Sequence, residues 1–247
     1  MVRLTLPETK LFRYGIAAIE KLITDAMIEI SPEKGFQLIA MDPSNIAMVI
    51  WTIRPEAFSE FEVEEATKFG ISIGHISPII KRIKAKDTLT LSLEENTLKL
   101  TLHGAFKRVF TAPLLGEFER EYPEPNIEFK VDAEMDADVI KEAVRDIKII
   151  SDAMKIEADE DKIVMSAEGE LKKARIELTR DSPALISLNV KEPSKASYSI
   201  DYLSKIATAA QVSDTLGLKF ATDWPARFEF KALERMNLTF ILAPRIE

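Results

Sequence analysis

The 247 residues predict an α+β protein built from two duplicated domains, and three observations carry that expectation. "TDAMIEI" at Thr24 has a near copy, "SDAMKIE", at Ser151, placing two aspartates 152 − 25 = 127 residues apart. "KDTLTL" at Lys86 and "SDTLGL" at Ser213 give the same separation, 214 − 87 = 127. Between these landmarks helical stripes alternate with short runs of period two, in one order in both halves.

The first helix is "KLFRYGIAAIEKLI", where Leu11, Tyr14, Ala18, Leu22 and Phe12, Ile16, Ile19, Ile23 recur at three- and four-residue steps. "AMIEI", "GFQLIAM" and "IAMVIWTI" follow as strands. "HISPIIKRIKAK" is the second helix, with Ile76, Ile79, Ile80 and Ile83 as its stripe, Ser77 as N-cap and Pro78 at its first position. "TLTLSLEENTLKLTL" reads as a hairpin turning at Glu94 to Asn96, and "KRVFTAP" closes the half.

The copy repeats the scheme. "DADVIKEAVRDIKII" and "DYLSKIATAAQ" are its helices, overlaying the first two at offset 127. Each domain is then a pair of β-α-β-β-β units with two helices packed on antiparallel sheets. We place domain one at 1–113, a connector at 114–126 and domain two at 127–247. "TAPLLGEFEREYPEPNIEF" holds three of the twelve prolines and reads as extended and stiff.

Composition excludes several classes. With no cysteine there is no disulfide, zinc thiolate or thiol nucleophile. The start "MVRLTLPETK" lacks a signal-peptide core, and no apolar run approaches about 18 residues, so a cytoplasmic, prokaryotic protein is expected. The 30% charged content and sparse Asn and Gln resemble a thermophile's usage. A net charge of −8 argues against nucleic acid until the placement of the cations is considered.

Those cations gather on the helices. The third carries Lys141, Arg145 and Lys148, four and three apart and hence on one side; the second carries Lys81, Arg82, Lys84 and Lys86. The first offers Lys10, Arg13 and Lys21, the fourth Lys205. Any solvated helix carries lysines, but recurrence at corresponding places favours a sequence-blind surface for phosphates. No Phe, Tyr or Trp interleaves these faces, which favours duplex over single strand.

"GFQLIAMDPSNIAMV", "DWPARFEF" and the terminal "LAPRIE" resemble segments of DNA sliding clamps of the proliferating cell nuclear antigen family, archaeal type. The likeness runs from the first helix to the last residue. It implies the DNA-clamp fold and a trimeric ring, with two further clamp subunits, identical or paralogous. The ring encircles duplex DNA with its helices and docks DNA polymerase, DNA ligase, flap endonuclease and clamp loader through a peptide groove. By position that groove comprises Met41, Asn45, Ile46 and Met48, the connector's Tyr122 and Pro123, then Trp224 and Pro225, and the tail's Ile241, Leu242, Ala243, Pro244 and Ile246. Methionines there would repack to suit different partners. Departures are Glu20 and Asp201, where many members have a base, the bulky Trp224, and Phe240-Ile241 in place of a frequent Tyr pair.

The resemblance also implies head-to-tail joining of "AFKRVFTAP" to "LKKARIELT", involving Phe106, Lys107, Arg108 and Val109 on one edge and Lys173, Arg175, Ile176 and Leu178 on the other. Cations on both edges, Lys172 among them, would repel, which suits a ring with a different neighbour. In the opposite reading the lysines reach solvent while the apolar residues pack.

A catalytic reading fails on inventory. His75 and His103 are the only histidines, and no Walker loop, G-x-S-x-G or H-E-x-x-H occurs. The acids of "EADED" fall in a hairpin turn. No catalytic residue, cofactor or metal is expected. The alternative to a clamp is a ring-shaped protein-interaction scaffold that does not grip DNA.

Overall fold

The computed structural model describes residues 2–116, 122–232 and 234–246. The first half runs β1 (Val2–Leu6), α1 (Thr9–Ile19), β2 (Asp25–Ser31), β3 (Gly35–Met41), β4 (Ala47–Ile53), β5 (Glu60–Val63), β6 (Thr67–Ser72), α2 (Ile73–Ile80), β7 (Thr88–Glu94), β8 (Thr97–His103) and β9 (Lys107–Pro113). The second runs β10 (Val131–Asp136), α3 (Ala137–Ile147), β11 (Ala153–Ala158), β12 (Lys162–Glu168), β13 (Lys173–Thr179), β14 (Leu185–Val190), β15 (Ser194–Ser199), α4 (Ile200–Ile206), β16 (Thr215–Phe220), β17 (Ala226–Ala232) and β18 (Met236–Leu242).

Hydrogen bonding joins β5-β1-β7-β8-β9 and β4-β3-β2-β6 in the first half. In the second it joins β14-β10-β16-β17-β18 and β13-β12-β11-β15. Adding nine to each strand number converts one set of orders into the other, so the duplication holds at the level of topology. To the paired β-α-β-β-β units the structure adds one strand per half, β5 and β14, between the two units. Strands β9 and β13 each end a sheet, as the edge reading requires.

The chain divides into two compact units. One is Met1–Asn45, Val49–Pro123 and Ala232–Leu238; the other is Ile46–Met48, Glu124–Lys231 and Thr239–Glu247. In the first, Phe12, Phe36 and Trp51 cluster with ring centroids 5.0–5.6 Å apart, and Gly15 lets α1 close on the indole. In the second, Ile140 and Ile147 of α3, Leu203 of α4, and Met154, Met165, Phe228 and Phe230 of the strands are buried. Among the described residues no helix is long and apolar enough to cross a membrane.

Two local expectations need correction. Ser77 is not the N-cap of α2; Ser72 is, and the helix starts where the Ile73 N–H bonds the Thr24 carbonyl at 2.8 Å. Pro78 lies inside α2, where it removes the hydrogen bond to the Gly74 carbonyl, and the helix stops two residues later. The offset is also not uniform. In α1 and α3 the buried faces align Phe12 with Ile140 and Ile19 with Ile147, which is 147 − 19 = 128.

The next strands keep that offset: Ile28 faces Leu38 while Ile156 faces Met165. Asp25 therefore matches Ala153, and the Asp-Ala-Met likeness is one residue out of structural register. The slip to 127 occurs in the following turn, which has one more residue in the first half. There Gly35 takes φ +78°, and a Cβ would lie 2.2 Å from the Ile53 carbonyl oxygen. The "DTL" pair is in register, since Leu89 and Leu216 are both buried and face Leu6 and Met135.

Candidate functional site

The cations expected on helical faces divide into those on helices and those just beyond them. Lys10 and Arg13 lie on α1, Lys141 and Arg145 on α3, Lys205 on α4. Lys81 and Lys148 are C-caps, while Arg82, Lys84 and Lys86 occupy the turn after α2, because that helix ends at Ile80. Several have local partners: Lys141 bonds Asp138 at 2.9 Å, Arg145 bonds Glu142 at 2.6 Å, and Lys81 bonds Glu20 at 2.8 Å. Exposed pairs of this kind are worth about 0–1 kcal/mol, so a phosphate can replace the acid.

Glu20 is the exception. Its carboxylate also takes the Ser77 hydroxyl, joining α1 to α2. Burial alone would raise its pKa, but hydrogen bonds from Lys81 and Ser77 outweigh it and hold the carboxyl below its ordinary value. Aromatic rings do stand beside three of these cations: Arg13 lies 5.0 Å from the Tyr14 ring, Lys205 5.0 Å from Tyr202 and Lys84 5.9 Å from Phe106. The expectation of faces without aromatics is corrected to that extent.

Of the groove candidates in the second unit, Ile46, Trp224 and Ile246 are exposed by 37%, 57% and 92%. Pro225, Ala243 and Pro244 are half-buried. Met48, Ile241 and Leu242 are buried and support the surface from beneath. The tail is pinned along its backbone, with Ala243 N–H to the Ile46 carbonyl at 2.9 Å and Arg245 N–H to Ser197 at 2.7 Å. Arg245 also bonds Asp152 at 2.9 Å. The Tyr198 hydroxyl donates to the Trp224 carbonyl at 2.8 Å, and burial followed by nearby Asp223 pushes that phenol's pKa up. The apolar rim is thus carried on fixed backbone.

In the first unit Met41 is half-buried at the end of β3, and Asn45 adopts φ 57° in the turn after it. Tyr122 is half-buried and Pro123 exposed. The predicted stiff connector includes residues 117–121, which lie outside the described residues. In the second unit Glu124 pairs with Arg227.

Just before β9, Phe106 is 62% exposed; on the strand Val109 is 47% exposed, Lys107 points to solvent, and Arg108 turns inward to Asp87. On β13, Lys173 pairs with Glu168 and Arg175 with Glu177 at 2.5 Å, while Ile176 is half-buried and Leu178 buried. Acids of the same unit thus neutralise most of the edge cations, which removes much of the expected repulsion.

Comparison with known proteins matches the sequence model of the proliferating cell nuclear antigen N-terminal domain to residues 1–109 and that of the C-terminal domain to 124–245. The chain belongs to the proliferating cell nuclear antigen family. A DNA polymerase sliding clamp of Nanoarchaeum equitans is 38% identical across 99% of both chains. One from Pyrococcus furiosus is 35% identical across 96% of both. The crystal structure of PCNA from Thermococcus kodakaraensis superposes with a TM-score of 0.93 at 26% identity, covering 99% of this chain and all of that one.

Two residues of this family member escaped the sequence reading. Ile149, just past α3, is 71% exposed, and Leu171, in the turn before β13, is 96% exposed. A lone leucine in "GELKK" and an isoleucine one step beyond the α3 stripe were the available signals. His75 and His103 are both exposed, and the described residues hold no group of three potential metal ligands.

Proposed function

We infer that this chain is a DNA sliding clamp that holds duplex DNA and tethers a polymerase to it. The observation that carries the reading is full-length membership: both clamp domains are present, and relatives named for that activity align from end to end. The cation-rich ends of α1, α2 and α3 support a sequence-blind grip on phosphates. We propose Lys10, Arg13, Lys81, Arg82, Lys84, Lys141, Arg145, Lys148 and Lys205 as that surface. Nothing favours the scaffold alternative.

The finer parts belong to the same proposal. The chain acts without catalysis, in a prokaryotic cytoplasm, as one of three subunits whose β9 and β13 edges meet. Ile149 and Leu171 join Phe106, Val109 and Ile176 as apolar contacts there. Ligase, flap endonuclease and clamp loader dock by peptides on Ile46, Trp224, Pro244 and Ile246, with Tyr122 as anchor. Domain one spans 1–113, the connector 114–126 and domain two 127–247.

Polymerase processivity on primed circular DNA at moderate salt tests the core of this. Wild-type protein should lengthen products, and the quadruple alanine variant at Lys81, Lys84, Arg145 and Lys148 should lose that effect. Its DNA salt slope should fall by about 0.9 for each phosphate contact removed. No gain in product length from the wild type would defeat the clamp reading; an unchanged slope would defeat the assigned surface.

A further inference from the structure

Between α2 and β7 the chain packs four cations, Lys81, Arg82, Lys84 and Lys86, into six residues. Like charges this close repel, so the segment needs an anchor to hold one shape. Asp87 supplies it. Its side chain is 4% exposed, accepts the Lys84 backbone N–H at 2.7 Å, and pairs with Arg108 of β9, itself only 15% exposed. The turn closes reciprocally, since the Asp87 N–H bonds the Lys84 carbonyl at 3.0 Å. Arg108 extends the tie with a second donor to the Arg82 carbonyl at 3.0 Å.

The β8–β9 hairpin completes the fastening. A Cβ on Gly104 would sit 2.1 Å from the Asp87 Oδ1, so glycine there leaves room for the carboxylate. The Phe106 ring has Lys84 Nζ at 5.9 Å and Arg108 Cζ at 5.7 Å. The matching place in the second half lacks both features. Asp214 of "SDTLGL" is exposed, and residues 208–213 carry no cation. The anchor occurs where there is a cationic loop to hold.

We propose that Asp87 is a positioning residue for DNA binding, holding the Lys81–Lys86 loop in its binding shape and joining it through Arg108 to the edge strand β9. The proposal rests on the clamp reading above. Its test exploits a reversal of sign. Asp87→Asn removes a negative charge beside four cations, so electrostatics alone predicts tighter binding to DNA. Positioning predicts the opposite, because a loosened loop must be ordered when the duplex binds.

Anisotropy of a short fluorescent duplex, titrated with full-length protein at several salt concentrations, reads the difference. The Asp87→Asn variant should bind roughly three- to tenfold more weakly, the cost of ordering about one side chain. Amide exchange at Lys84 and Asp87 should quicken, with α3 and α4 unchanged. Arg108→Lys, which keeps the charge but loses the forked contact, should fall between the two. Gly104→Ala, which crowds the carboxylate from the other side, should weaken binding in the same direction and serves if Asp87→Asn does not fold. Equal or tighter binding by these variants overturns the proposal while leaving the clamp intact. Wild-type protein with no salt-dependent duplex binding overturns the clamp reading and this proposal together.

Discussion

The helix pair of the first unit and that of the second share a topology but are held by different means. Helix α3 is self-sufficient: Asp136 caps it by accepting the Asp138 N–H at 2.9 Å, and acids alternate with its cations as i,i+3 pairs. Helix α1 has no side-chain cap and no acid in its first turn. It relies on apolar closeness, Gly15 against Trp51, and on Glu20 clasping Ser77 and Lys81 of the neighbouring α2 segment. At the C-cap where α1 has Glu20, α3 has Lys148. Ser204, the counterpart of Ser77 (204 − 77 = 127), keeps a buried hydroxyl without a hydrogen-bond partner. Local helix stability and tertiary clasping are interchangeable supports for one fold.

The sharpest way to break this contrast is at closest approach. A Cβ on Gly15 would fall 2.4 Å from the fully buried Trp51 ring, while the matching Ala143 carries one without difficulty. Gly15→Ala should destabilise the protein by about 2 kcal/mol, an overpacking cost of roughly 3 less about 1 regained in helix propensity. Ala143→Gly should cost only about 1 kcal/mol, through propensity. Denaturant unfolding that ranks the two the other way would contradict the packing account.

The clasp comes next. Ser77→Ala should cost about 1 kcal/mol by removing a donor to Glu20, whereas Ser204→Ala should be neutral or stabilising, because it deletes an unsatisfied group. Equal losses from both would mean that the Glu20 contact contributes nothing. The smallest effect is a dependence on acid. Glu20 has its pKa lowered in the folded state, so its contribution is present above the ordinary value of 4.5 and is lost as pH falls through the lower folded value. Amide protection in α1 and α2 should therefore decline in acid relative to α3 and α4, and the difference should vanish in Glu20→Gln.

Much of this was legible in the sequence. Apolar periodicity located the helices, and "EEN" at Glu94 to Asn96 marked the hairpin whose turn is Glu95 and Asn96. The two edge strands followed from the resemblance to sliding clamps. What periodicity could not supply was register between the halves, because a one-residue insertion in a turn leaves each stripe intact while shifting its partner. Nor does a stripe show where a short helix stops, so Arg82, Lys84 and Lys86 read as helical when they lie beyond it. Arg108 counted as an edge cation because nothing near it in sequence reveals Asp87, which tertiary packing brings beside it. Of the candidate groove, the apolar character was readable but the division into exposed rim and buried support was not.

The extra residue in the turn before β3 also constrains recombination between the halves. A chimera that crosses over within "DAM", joining the first half's β2 to the second half's later elements, would be seamless in letters. Because side chains alternate along a strand, the one-residue error would set Lys155 and Glu157 at the core-facing places of Ile28 and Ile30 and turn Ile156 outward. A splice after Ile30 that joins it directly to the shorter second-half turn beginning at Asp159 would keep the pleat in phase. Such a hybrid should fold where the better-matched sequence fails.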